Sequence, residues 1–141
     1  MATLTIPYYK LPYKPSEAFP EEENVWRPFV EVRINNKTAH IDCLALLDSG
    51  ADNCLFPAEI GEYLGVDIRK GKTKEFGGIG KGKIKAYFHD VLLRIENISF
   101  KCCAGFTYDR LPYVLLGQNG FFDQCIISFD LPQRIIRISV P

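Results

Sequence analysis

Apolar and polar residues alternate over Phe29-Val30-Glu31-Val32-Arg33-Ile34, stop at Asn35-Asn36, and resume from Thr38 to Leu47. A period of two puts one face of each run into a core, and an Asn-Asn pair favours chain reversal, so these residues predict a β-hairpin. The same pattern predicts strands at residues 73–76, 83–88, 91–95, 99–104, 113–116, 126–129 and 135–140, with a turn at Asp130-Leu131-Pro132-Gln133. Residues 57–64 predict a short helix, because Pro57 opens them where a missing N–H costs nothing and Gly65 closes them. A second short helix is expected over residues 118–123. Many short strands with one or two helical turns predict an all-β fold, a closed or nearly closed β-barrel.

The first 28 residues differ. They hold five of the nine prolines, together with Tyr8, Tyr9, Tyr13 and Trp26, and so predict an extended N-terminal arm (1–28) ahead of one folded domain (29–141). The aromatic rings are its expected anchors. The arm carries Glu17, Glu21, Glu22 and Glu23, whereas residues 69–85 carry seven basic residues against Glu75 alone. Both runs are expected to be solvated faces.

A length of 141 residues permits one hydrophobic core, and 17 basic residues against 17 acidic ones remove the basic excess of a nucleic-acid binder. No apolar run is long enough to span a bilayer, and residues 2–7 lack the pattern of a secretory signal, so no membrane partner and a cytoplasmic protein are expected. Five cysteines (Cys43, Cys54, Cys102, Cys103, Cys125) sit mostly in apolar runs, as buried reduced thiols do. Zinc sites want spaced pairs or histidine partners, and His40 and His89 fall in unrelated strands, so no metal is expected.

Candidate chemistry begins at Ala45-Leu46-Leu47-Asp48-Ser49-Gly50-Ala51-Asp52. An apolar strand delivers Asp48 into a turn of small residues, where backbone N–H groups and Ser49 Oγ can approach its carboxylate. A plain β-turn capped by Asp48 has the same residues. Downstream, Phe76-Gly77-Gly78-Ile79-Gly80-Lys81-Gly82 places four glycines around one apolar residue, which suits a mobile hairpin tip. No Lys-Ser or Lys-Thr helix start follows, so it is a poor phosphate loop. Lys81, Lys83 and Lys85 make this hairpin basic. Tyr113-Val114-Leu115-Leu116-Gly117 then forms an apolar strand stopped by glycine.

In this order the three segments resemble the retropepsin-like aspartic peptidases, single-domain relatives of the pepsins. The resemblance covers Phe29 to about Ile138, and residues 115–123 with Phe129-Asp130 look more like bacterial members than viral ones. It implies a barrel of the retropepsin type, catalytic Asp48, Ser49 and Gly50, and substrate-binding or flap residues Ala51, Asp52, Gly77, Gly78, Ile79 and Gly80. Viral members usually carry Arg at the place of Gln118, paired with the carboxylate matching Asp52, and the proline-rich arm has no counterpart in their short N-terminal strand.

The resemblance further implies an aspartic endopeptidase acting on a peptide or protein substrate without a cofactor. Catalysis of this type needs two carboxylates flanking a water, one ionised and one protonated. Asp-Ser-Gly occurs once in the chain, so the second aspartate is expected from a homodimer. The alternative is a peptide-binding or dimerisation module on the same fold that performs no chemistry.

Overall fold

The structure, a computed structural model, describes residues 2–77 and 82–141. Among them, β4 (Phe29–Asn36) and β5 (Ala39–Leu47) form the expected hairpin, paired from Phe29↔Leu46 to Asn36↔Ala39. The pattern of β4 explains its place: Val30, Val32 and Ile34 are fully buried, whereas Glu31 between them is exposed. Each such side chain contributes roughly 1.5–3 kcal/mol by leaving water.

The remaining core strands are β6 (Leu55–Pro57), β7 (Lys72–Gly77), β8 (Lys83–Ile95), β9 (Ile98–Thr107) and β10 (Val114–Leu116). Hydrogen bonding runs in the order β4-β5-β10-β6-β9-β8-β7, and β8 pairs back onto β4 through Arg33↔Arg94, Ile34↔Leu93 and Asn35↔Leu92. The sheet therefore closes into a ring, with β7 appended to the free half of β8. This agrees with the all-β, nearly closed architecture expected.

Residues 83–88 and 91–95, read as two strands, are one. Their register with β9 is unbroken from Ala86↔Thr107 to Ile95↔Ile98, but the buried positions change parity. Ala86 is buried in the first half, and Val91, Leu93 and Ile95 in the second. The ribbon covers apolar groups with one face and then with the other, which makes a continuous strand look interrupted.

The helix α1 spans Ala58–Tyr63 with Pro57 before it, and Gly65 follows at φ +76° with its N–H donating to the Glu62 carbonyl. A side chain at Gly61 would fall 2.3 Å from Ile68 Cδ1, so α1 packs closely only because this position is glycine. The helix expected over 118–123 is instead a single 3-10 turn at Phe122–Gln124, because Gly120 takes φ +107°, which interrupts a right-handed helical run. No helix among the described residues is long and apolar enough to cross a membrane.

The arm is extended and bonded. Its strand β1 (Ala2–Pro7) pairs along its whole length with the C-terminal strand β12 (Ile135–Val140), which also pairs with β11 (Ile126–Asp130). Strands β2 (Tyr9–Pro12) and β3 (Asn24–Arg27) form a ribbon of their own. Leu4 and Tyr8 join the same core as Val30 and Ile138. Trp26 is half-buried between Lys10 and the Arg134 guanidinium, whereas Tyr9 keeps 38% of its surface exposed and Tyr13 44%. The arm's four glutamates are exposed and, among the described residues, make no ion pair with the basic run.

Candidate active site

Strand β5 lies between β4 and a parallel β10, with Val114↔Ala45, Leu115↔Leu46 and Leu116↔Leu47 in register. Ala45 and Leu47 are buried, so the chain reaches Asp48 from a fixed base. The Asp48 N–H donates to the Leu116 carbonyl at 3.0 Å, extending the pairing by one bond. Asp48 Oδ1 accepts the Gly50 N–H at 2.9 Å, and the Asp48 carbonyl accepts the Ala51 N–H at 3.1 Å. These bonds close a tight turn that leaves Asp48 half-buried and Ser49 and Gly50 exposed. Of the contacts expected to the carboxylate, the backbone one from Gly50 is present, and Ser49 Oγ makes none among the described residues.

The next strand end clamps this loop from beneath. Gln118 N–H donates to the Ala51 carbonyl and Asn119 N–H to the Asp52 carbonyl, at 2.8 and 2.9 Å. The crossing is so close that a Cβ on Gly117 would lie 2.4 Å from the Asn53 carbonyl oxygen and 2.6 Å from that of Ala51. Glycine is thus required where an apolar strand merely seemed to stop. Gln118 also donates its side-chain amide to the Ser49 carbonyl at 2.7 Å. Its neutral amide serves the loop backbone, and Asp52 is exposed without an ion pair among the described residues.

Below the loop, the buried Cys54 Sγ accepts the Gly117 N–H at 3.4 Å. A hydrogen bond from the Cys102 thiol holds Cys54 below the ordinary thiol value and Cys102 above it. All five cysteines are free, and Cys103 is exposed. Among the described residues no three metal-ligating side chains come together.

Three features escaped sequence reasoning. Asn53, directly after the motif, is 9% exposed and accepts a hydrogen bond from Lys74 Nζ at 2.7 Å. Lys74 looked like one of several solvated lysines, and its sole sequence signal is alternation along β7. Secondly, Leu46 shares a face with Asp48, and its partner Phe29 stacks edge-on against Tyr113 at 5.2 Å and Tyr9 at 6.3 Å. An apolar wall that includes an arm residue therefore stands beside the aspartate. The third is Cys54, which read as plain core. Ala51 and Asp52 lie within the clamped loop, and Gly77 is the exposed end of β7. Gly78, Ile79 and Gly80 lie outside the described residues.

Residues 24–125, which contain the single Asp-Ser-Gly loop and the glycine crossing beneath it, match the family model of the retroviral aspartyl protease. The chain belongs to that family. The match begins at Asn24, inside the proline-rich arm. No curated protein matches the sequence. Among solved structures, a retropepsin-like aspartic protease from Rickettsia conorii is similar over 97% of this chain and 98% of its own, with a TM-score of 0.62 and 16% identity. That likeness is one of fold and includes the arm. EIAV protease, solved with the inhibitor HBY-793, is similar over 65% of this chain and 82% of its own, at 23% identity and a TM-score of 0.46.

Proposed function

We propose that two copies of this chain form an aspartic endopeptidase whose reacting groups are the two Asp48 carboxylates. The observation that carries this reading is the clamped loop, in which β5, β10 and Gln118 hold Asp48 rigidly at a half-exposed edge of the ring. Among the described residues no other carboxyl group hydrogen-bonds to its side chain, so the second carboxylate comes from the partner copy.

Two facing carboxylates share one proton, because both cannot ionise at close range, and their apparent pKa values then belong to the pair. The ionised member takes a proton from the water between them as its oxygen attacks the scissile carbonyl. The protonated member gives its proton to that carbonyl oxygen, leaving a neutral tetrahedral diol. As the diol collapses, the ionised member takes one hydroxyl proton, the carbonyl re-forms and the C–N bond breaks, and the departing nitrogen takes the proton of the other member, which returns the pair to its one-proton state. Ser49 and Gly50 form the turn that holds each carboxylate in place. The wall of Leu46, Phe29 and Tyr113 suits apolar side chains of an extended substrate. Gly77, with Gly78, Ile79 and Gly80, would serve as the flap that covers it.

Dimerisation is supported by the outer strand β11, where Ile126 and Phe129 remain exposed, and by the exposed Leu131 in the turn after it. The test is cleavage of a peptide library by wild type and Asp48→Asn. The reading expects loss of turnover by about 10²-fold or more with the fold and dimer retained, and falling specific activity on dilution. Equal cleavage by both proteins would sink it, and a stable dimer that binds peptides without cleaving them would favour the binding module.

A further inference from the structure

Lys74 lies directly opposite Ala86 in the β7–β8 ribbon, and Ala86 is fully buried. Residues opposite one another in an antiparallel pair share a face, so Lys74 stands on the side of the ribbon that covers the ring, where its own side chain stays exposed. Phe76 and Ile84 are on this same face and are half-buried. The Nζ atom donates to Asn53 Oδ1 at 2.7 Å and stands 4.8 Å from the centre of the Phe76 ring. Asn53 is itself 9% exposed and follows Asp52 in the loop that carries Asp48. Among the described residues no carboxylate lies within ion-pair distance of Lys74. Lys83 and Lys85, by contrast, oppose Gly77 and Glu75 and so belong to the other face.

We propose that Lys74 is a specificity-determining residue that selects peptides with an acidic side chain close to the scissile bond. The inference rests on the peptidase reading above and names its substrate class. An ammonium has three donors, and Asn53 takes one, leaving two for a ligand. The buried amide already fixes the head group, so a carboxylate that binds it pays less ordering entropy than at a free surface lysine. Phe76 and Ile84 supply an apolar wall for the methylenes of glutamate, and a charge-assisted bond in that setting is stronger than one between neutral groups.

The test compares kcat/KM for matched peptides in which Glu, Gln or Lys is stepped through the positions flanking the cleaved bond. Wild type should prefer Glu over Gln by about tenfold at one position, and less in high salt. Lys74→Met should bring that ratio to about one whatever its absolute rate, Lys74→Arg should keep it, and Lys74→Glu should turn the preference toward Lys. Cleavage by wild type with a Glu/Gln ratio of one at every position overturns the inference alone, as does a ratio that survives in Lys74→Met. A wild type that cleaves no peptide overturns the peptidase reading and this inference with it.

Discussion

The side-chain amide of Gln118 donates to the main-chain carbonyl of Ser49 across 2.7 Å, while the Gln118 N–H binds the Ala51 carbonyl at 2.8 Å. One residue thus holds the Asp48 loop at two points on either side of Gly50. Only the first bond depends on the side chain. Gln118→Ala removes it at a cost of about 1 kcal/mol, and Gln118→Glu, which sets a carboxylate oxygen against a carbonyl oxygen, costs more. Turnover of a peptide substrate should fall in that order, with both variants still folded by circular dichroism. Full activity in Gln118→Glu would show that the amide has no part in holding the loop.

Gly117 and Gly77 make a contrasting pair. A Cβ at Gly117 meets backbone atoms at 2.4 and 2.6 Å, whereas one at Gly77 meets nothing within 4 Å among the described residues. Backbone cannot swing aside as a side chain can, so Gly117→Ala should destabilise the chain by about 1–3 kcal/mol or more. Gly77→Ala should change stability by less than about 0.5 kcal/mol. Denaturant midpoints of the two variants check this, and equal midpoints would contradict the close crossing.

The arm belongs to the core energetically. Leu4 is 7% exposed on a strand hydrogen-bonded to β12 from Ala2↔Val140 to Pro7↔Ile135. Leu4→Ala should cost about 2–5 kcal/mol, as buried leucines do. Removing residues 1–12 should also bare the edge of β12 and promote aggregation. Melting temperature and light scattering report these, and a shortened chain that melts unchanged would refute them.

Alkaline pH should weaken the fold. Burial pushes the Cys43 and Cys125 thiols up from the ordinary thiol value of 9.0 to about 11. The folded chain therefore binds protons that the unfolded chain has released, and their contribution to stability is whole below pH 9 and lost as pH rises toward 11. Urea midpoints for wild type should fall through this window, and the slope should shrink in Cys43→Ala/Cys125→Ala. A slope unchanged in the double variant would assign the loss to other groups.

Much of this protein is local and therefore written in order along the chain. The alternation in Phe29–Asn36, the Pro57 and Gly65 limits of the helix, and the apolar run into Asp48-Ser49-Gly50 each depend on neighbours a few residues away, and each was legible. What required the folded chain joins distant segments. Lys74 became distinct from Lys83 and Lys85 only through its register opposite buried Ala86 and its bond to Asn53. The arm read as extended, but its partner lies at the other end of the sequence in β12. Strand β8 read as two because a period of two identifies a buried face only while that face stays the same, and the closed ring turns the ribbon over between Phe88 and Val91. Gly117 read as a strand end, yet two carbonyl oxygens packed against its Cα leave no room for a side chain. Pattern along a chain records which residues avoid water; which atoms they meet instead is decided when the ring closes.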